Sequence, residues 1–279
     1  MKLFAGCKIN IYLNVLFRRA DGYHELESLF LPLKSPADIL HVRPAPGRGF
    51  TLSCSDPALS GTENILYTAY DLFSRETGFQ PELTLHLEKK IPAGAGLGGG
   101  SSDAAVLLGY LNSLLEEPLP LESLARLALQ IGADVPFFLY NQPALVQGIG
   151  ESVKQVSIQM EELDLLLVCP EVSVSTKEAY ERWQAHPSSL PSLTSSRAAD
   201  NGSFCISDVV LFNSLEPAVF ALYPLLRELK IDLLEQGAAG CVMSGSGSSL
   251  CAFFRGRDGV ESAGSWLDER AIPYFHHQF

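Results

Sequence analysis

The sequence predicts a mixed α/β chain of about two domains, and three observations carry that reading. Its 279 residues are close to twice the ~150 residues of an ordinary domain, enough for two sizeable cores. Two segments alternate apolar and polar residues with the period of a strand, Cys7 to Val15 and Leu83 to Glu88. Two others, Ser102 to Leu114 and Glu122 to Gln130, place apolar residues at helical spacing.

In chain order, the first strand sets Cys7, Ile9, Ile11, Leu13 and Val15 on one face and Lys8, Asn10, Tyr12 and Asn14 on the other. This reads as a strand with one buried face. A solvated polar face is the plain account, but asparagine is a poor strand former, so two at alternating positions suggest a face with a task. Arg18-Arg-Ala-Asp-Gly-Tyr-His24 follows, a turn that on its own could be a hairpin tip. Leu83, Leu85 and Leu87 then alternate with Thr84, His86 and Glu88, which predicts a strand with one wet face.

Between that strand and the first predicted helix lies Pro92-Ala-Gly-Ala-Gly-Leu-Gly-Gly-Gly-Ser-Ser-Asp-Ala-Ala105, with five glycines. Glycine lets successive peptide N–H groups turn inward, and a helix N-terminus adds free N–H groups, so the segment suits a polyphosphate. A Walker A loop needs Gly-Lys-Ser/Thr, and Gly100 is followed by Ser101, Ser102 and Asp103. The dinucleotide fingerprint is present as Gly94-x-Gly96-x-x-Gly99, with Glu116 and Glu117 downstream. However, the strand before it alternates, whereas a Rossmann first strand is apolar on both faces. Ser101 or Ser102 is expected to cap the helix, and a serine hydroxyl there can serve the cap, a phosphate oxygen or magnesium.

The second helix stops at Gly132, and Gly132-Ala-Asp-Val-Pro-Phe137 places Asp134 in a loop. Gln147-Gly-Ile-Gly-Glu151 is small and flexible, and the domain boundary is set there, giving domains of 1 to 151 and 152 to 279. Leu163 to Val168 predicts a short strand ended by Pro170, and Thr176 to Ala185 a helix on which Tyr180 is either a ligand contact or a core residue. Residues 187 to 203, rich in Ser, Pro and Ala, predict a long mobile loop. Phe212-Asn-Ser-Leu-Glu216 precedes a second glycine loop, Gly240-Cys-Val-Met-Ser-Gly-Ser-Gly-Ser-Ser249, in which Gly245 and Gly247 are the positions needing close approach or unusual backbone angles.

Three of these segments, in this order, resemble the GHMP kinases: Cys7-Lys-Ile-Asn-Ile-Tyr-Leu the first motif, Pro92 to Ala105 the second and Gly240 to Ser249 the third. Gly6-Cys7 stands where that superfamily more often has Pro-Ala, and Ser214 where it has an acid in Asn-Asp-Leu-Glu. The resemblance implies a two-lobed fold, an N-terminal α/β domain and a C-terminal α+β domain of ferredoxin-like character, with ATP as co-substrate and Mg2+. It implies that Pro92, Ala93, Gly94, Ala95, Gly96, Leu97, Gly98, Gly99, Gly100, Ser101 and Ser102 bind ATP, with Ser101 or Ser102 as a magnesium ligand. Asp134 would face the acceptor hydroxyl as catalytic acid/base, Lys8 would pair with it and neutralise charge on the transferring phosphoryl, and Asn10 and Gly245 would hold the acceptor.

The Asp21-Gly-Tyr-His24 element resembles one branch of the superfamily, whose small-molecule acceptor is a cytidylyl-linked methylerythritol of the non-mevalonate route to isoprenoid precursors. There His24 would pair with the cytosine, Tyr23 pack near it and Tyr180 sandwich it; neutral imidazole can donate from one nitrogen and accept at the other. A mevalonate-type or sugar kinase would share Lys8, Asp134 and both loops but lack that element. A GHMP-fold protein without catalysis would bind ATP and turn nothing over.

Composition agrees with a small ligand. Net charge is −12, and no basic run exceeds a pair such as Lys89-Lys90, which argues against a nucleic-acid partner. No apolar run approaches the ~20 residues of a membrane span, and no signal-like segment leads the chain, so a cytoplasmic protein is expected. Cys7, Cys54, Cys169, Cys205, Cys241 and Cys251 lack metal-ligand spacing and are expected as reduced core residues.

Overall fold

Residues 1–160, 163–190, 193, 202–206 and 209–279 are described by the computed structural model, and the chain divides into two compact units. One gathers Met1–Lys8, Pro32–Pro92 and Gly98–Gln142; the other gathers Ile9–Leu31, Ala93–Leu97 and Pro143–Phe279. The chain therefore passes from one to the other within each of its first two strands and inside the glycine loop.

In the first unit, β1 (Lys2–Arg18) begins and β2 (His24–Pro44) ends. They are followed by β3 (Phe50–Cys54) and β4 (Leu83–Glu88). β4 runs antiparallel to β2, with Leu40 opposite Leu87, and parallel to β3, with Leu52 opposite Leu85. Leu83, Leu85 and Leu87 are buried and the residues between them are not, as the alternation predicts.

Helix α1 (Ile65–Thr77) starts where Asn64 accepts the Leu66 N–H at 3.0 Å and stops at Gly78, whose φ of 70° suits glycine. Helices α2 (Gly99–Ser113), α3 (Leu121–Ile131) and α4 (Val135–Tyr140) complete the unit, and α2 touches the other three. Ala104, Ala105, Leu107, Leu108 and Leu111 of α2 are buried, each leucine contributing about 1.5–3 kcal/mol of transfer free energy. A helix enclosed in this way holds its N-terminus in a fixed place.

Neither Ser101 nor Ser102 caps α2: the helix starts at Gly99, its N-cap is Gly98 at φ 70°, and no side chain caps it. Glycine alone enters a helix from the left-handed region without steric cost, so the serines fall inside the first turn. Asp134 is followed by the short helix α4, with Pro136 in its first turn, where only a loop was expected.

In the second unit, Ile9 to Val15 of β1 is buried on both faces, so the polar face, expected to have a task, is enclosed as fully as the apolar one. Protein groups replace water along the polar side: the Asn14 amide donates to Leu190 O at 2.7 Å and accepts the Leu190 N–H at 3.1 Å. The early part of β2 pairs antiparallel with β5 (Ala144–Gly148), which pairs with β6 (Ser152–Gln155).

After β7 (Ser157–Gln159) comes β8 (Leu163–Val168), then α5 (Thr176–Ala185), bounded as predicted and capped by Ser175. Then follow β9 (Ser203–Cys205), paired with β7, and β10 (Phe212–Asn213), parallel to β1. Helices α6 (Glu216–Leu222) and α7 (Pro224–Glu235) precede β11 (Gly240–Met243), β12 (Leu250–Arg255), α8 (Arg257–Glu269) and β13 (Tyr274–Gln278).

The last four-stranded sheet has the order β11-β12-β8-β13, antiparallel throughout. Leu166, Val168, Leu250, Ala252 and Phe254 on one of its faces form a core with Leu226, Leu229 and Leu233 of α7 and Val260, Ala263 and Leu267 of α8. This is the ferredoxin-like α+β arrangement that was expected.

Of the expected loop at 187 to 203, residues 191, 192 and 194–201 lie outside the described residues. Cys7, Cys169, Cys241 and Cys251 are buried, whereas Cys54 and Cys205, also expected in the core, are half-buried. Among the described residues no helix is long and apolar enough to cross a membrane.

Candidate active site

The first glycine loop alternates. Ala95 and Leu97 are buried, while Gly94, Gly96 and Gly98 take φ of 67°, 76° and 70°. Where right-handed residues alternate with left-handed glycines, consecutive peptide N–H groups turn to one side as an anion nest. Immediately beyond, the first intrahelical bond of α2 is Ser102 N–H to Gly98 O, so the N–H groups of Gly99, Gly100 and Ser101 precede any helical acceptor. Pro92 and Ala93 are exposed at the loop's entry, Ser101 is half-buried and Ser102 is buried.

Within the first unit, Lys8 Nζ lies 3.8 Å from Asp134 Oδ2. Lys8 is 4 % exposed, whereas about a third of the Asp134 side chain is open. A Cβ on Gly98 would meet the Phe138 ring at 3.0 Å and Lys8 Cε at 3.3 Å, so glycine at 98 leaves room for the lysine stem. Asp134 occupies the N-cap position of α4 without capping it, which leaves its carboxylate for Lys8 and for a ligand.

Behind the first turn of α2 lies a second charged group. Lys89 Nζ is paired with Asp38 and, at 3.1 Å, with Asp103 Oδ2. Asp38 also accepts the Lys90 and Ile91 N–H groups at 2.6 and 2.9 Å. Burial pushes the Asp103 carboxyl up to about 7. This cluster ties α2 to the segment that leads into the loop.

Within the second unit the other glycine loop closes on the first. Gly245 and Gly247 have φ of 56° and 86°, and both are buried. A Cβ on Gly96 would collide with the Ser244 carbonyl and sit 3.0 Å from Gly247 O, so only glycine fits there. Asn10, on β1, donates its amide to Ser28 Oγ at 2.8 Å and its main-chain N–H to Ser244 Oγ at 3.2 Å. Because Ser28 itself donates to Tyr12 O, it accepts from Asn10, and the amide's orientation follows.

A separate cavity of about 570 Å³ in this unit is lined by Arg18, Tyr23, His24, Thr176, Lys177 and Tyr180 among others. The His24 ring lies 4.9 Å from Tyr180 and 5.7 Å, edge-on, from Trp183. His24 Nε2 is buried with no hydrogen-bond partner. Burial, and secondarily the nearby Arg18 guanidinium, lower the His24 pKa and favour neutral imidazole. Tyr23 is 61 % exposed and held by its N–H to Asp21 Oδ1 at 3.1 Å.

Lys8 thus meets Asp134, Gly96 and Gly245 belong to apposed loops joined to Asn10, and His24 meets Tyr180. Sequence reasoning missed four participants: Trp183 behind His24, Ser28 and Ser244 around Asn10, and Asn213, whose amide donates to Met243 O and Gly245 O. Asn213 could have been read from the Asn-Ser-Leu-Glu segment beside the third motif; Ser28 carries no local signal.

The model of the GHMP kinases N terminal domain matches residues 64–142, and that of the GHMP kinases C terminal domain matches 198–269. The chain is 44 % identical to a 4-diphosphocytidyl-2-C-methyl-D-erythritol kinase of Nitratidesulfovibrio vulgaris, over 99 % of this chain and 97 % of that one. It is 43 % identical to one of Solidesulfovibrio magneticus, over 90 % of this chain and 87 % of that one. A crystal structure of a 4-(cytidine 5'-diphospho)-2C-methyl-D-erythritol kinase superposes with a TM-score of 0.80 at 35 % identity, covering 99 % of this chain and 98 % of the other. The homoserine kinase of Cytophaga hutchinsonii shares the fold, at TM-score 0.73 and 21 % identity. The glycine loops, the Lys8–Asp134 pair and this near full-length identity together assign the chain to the GHMP kinases and, within them, to the family of the 4-diphosphocytidyl-2-C-methyl-D-erythritol kinases.

Proposed function

We infer that this protein transfers the γ-phosphate of ATP to the 2-hydroxyl of 4-diphosphocytidyl-2-C-methyl-D-erythritol. The observation that carries the reading is the 44 % identity, over 99 % of the chain, to a kinase that bears that substrate's name. The His24 cavity supports it chemically. Cytosine presents acceptors at N3 and O2 and a donor at N4, and a half-buried neutral imidazole, whose Nε2 has no hydrogen-bond partner and beside which the Tyr180 ring lies, has the donor and acceptor chemistry for such an edge.

In the reaction, the acceptor hydroxyl oxygen forms a bond to the γ-phosphorus as the bond to the β–γ bridging oxygen breaks, and ADP leaves. Asp134 accepts the hydroxyl proton, and Lys8 balances negative charge on the phosphoryl oxygens. The N–H groups of Gly94 to Ser101 receive the β- and γ-phosphate oxygens, and Asn10 orients the acceptor.

Among the described residues there is no group of three or more His, Cys, Asp or Glu that could hold a metal. Were magnesium bound with the nucleotide, the half-buried Ser101 hydroxyl, rather than the buried Ser102, would be the protein oxygen open to it. When bound, the ion supplies neutralisation of charge across the β- and γ-phosphates.

The test is ADP release with magnesium and ATP on this acceptor beside mevalonate, homoserine and galactose, with free CMP as competitor. Turnover on the cytidylyl acceptor alone, inhibited competitively by CMP, is expected; turnover on another acceptor, or indifference to CMP, refutes the assignment.

A further inference from the structure

We propose that Asn213 and Ser244 are positioning residues that register the donor-phosphate loop against the acceptor-holding strand. The proposal rests on the assignment of the two glycine loops and Asn10 to phosphoryl transfer, and it concerns residues that touch no reacting atom.

Asn213 ends β10 and is 2 % exposed. Its amide nitrogen donates to Met243 O and to Gly245 O, each at 2.7 Å, and its Oδ1 accepts the Leu215 N–H at 2.9 Å. Both donors and the acceptor are therefore used, and all three go to main chain. The two carbonyls it grips flank Ser244. They are fixed further by Gly247 N–H to Ser244 O and Ser244 N–H to Ser249 O, both 2.9 Å.

Ser244 is fully buried, and its hydroxyl sits at the junction of three segments. It lies 3.1 Å from Gly96 O of the first loop, accepts the Asn10 N–H at 3.2 Å and lies 3.5 Å from Asn10 Oδ1. Ser249 N–H to Ala95 O at 3.2 Å adds a second stitch between the loops. The contact at Gly96 admits no Cβ, so a small shift of the second loop must carry the first with it. A chain of hydrogen bonds thus runs from Asn213 through Ser244 to the residues placed on ATP and on the acceptor. Side-chain donors that hold carbonyls of a tight turn act through geometry, and a misplacement of reacting groups by about 1 Å costs up to ~10²-fold in rate.

The test uses Asn213→Leu, which keeps the branched shape and removes both the donors and the acceptor, and Ser244→Ala, which removes only the hydroxyl. Binding of a magnesium-bound, non-hydrolysable ATP analogue is measured by calorimetry, binding of CMP reports the His24 cavity, and melting temperature monitors the fold. Loss of buried hydrogen bonds at the loop is expected to weaken the analogue about tenfold in each variant, with CMP affinity unchanged to within about twofold. If Asn213→Leu does not fold, Ser244→Ala decides alone.

Analogue affinity equal to wild type in the folded variants overturns the clamp, as does an equal loss of CMP and analogue binding that follows the melting temperature. Turnover of the wild-type chain on the cytidylyl acceptor is followed in parallel. Its absence counts against the proposed acceptor, while the analogue titration still decides the clamp.

Discussion

Replacing Gly96 with alanine tests the architecture of the loop more sharply than any change of charge. At φ 76° an L-residue costs about 1–2 kcal/mol relative to glycine. The added Cβ is also driven against the Ser244 carbonyl and Gly247 O. Relief requires the loops to part, which gives up Ser244 Oγ to Gly96 O and Ser249 N–H to Ala95 O, each worth about 1 kcal/mol net. Together these come to roughly 3–4 kcal/mol, or on the order of 10²-fold or more in nucleotide affinity if the strain appears as a displaced loop.

The control is Gly109→Ala in α2, an exposed helical position where a Cβ meets nothing within 4 Å. That change should stabilise by about 0.5–1 kcal/mol and leave nucleotide binding alone. The assay is thermal unfolding together with titration of a non-hydrolysable ATP analogue. Wild-type melting and wild-type affinity in Gly96→Ala, or an equal loss in both variants, would refute the reasoning.

Other outcomes follow from the charged and titrating groups. If His24 accepts the cytosine N4–H as proposed, it must be neutral, and its pKa is lowered from 6.5 by burial and Arg18; the acceptor KM should then stay flat as pH falls through 6.5 and rise only below the depressed value. A pH–KM profile that climbs already above 6.5 would contradict this. Lys89→Met leaves Asp38 and Asp103 buried without their counter-charge and should cost roughly 3–5 kcal/mol in denaturant unfolding at pH 8; a change within about 1 kcal/mol would show that the cluster is not an ion-pair network. Lys8→Met keeps a buried stem of similar size and should lower kcat with little loss of stability, read by steady-state kinetics beside melting; unchanged kcat would remove Lys8 from the charge balance.

Much of the site was legible because its residues are local in sequence. Glycines at 94, 96 and 98 announce a nest, since no other residue is cheap at those angles, and Lys8 and Asp134 stand in motifs that can be recognised singly. The strand at 83–88 and the helix at 176–185 follow from periodicity. What failed depended on distant partners. Alternation in β1 marks a polar face without saying what meets it, and Leu190, Ser28 and Ser244, elsewhere in the sequence, supply its hydrogen bonds. A serine after a glycine run reads as a cap, but the left-handed Gly98 moves the helix start forward by one turn. Trp183 and the carbonyl partners of Asn213 were not legible because a tryptophan's ring neighbour and an asparagine's hydrogen-bond partners are properties of the fold, although the motif around Asn213 was visible.

The proposed transfer requires Asp134 to take the proton of the acceptor hydroxyl as phosphate moves from ATP to 4-diphosphocytidyl-2-C-methyl-D-erythritol. Phosphorus NMR of that reaction, with wild type and Asp134→Asn at equal nucleotide saturation, tests it most directly. A new phosphomonoester on the acceptor is expected with wild type and a rate lower by about 10²–10⁴-fold in the variant, with analogue affinity within about threefold of wild type. Product formation by Asp134→Asn at a near wild-type rate would contradict it, as would ATP consumption by wild type with no phosphomonoester on this acceptor.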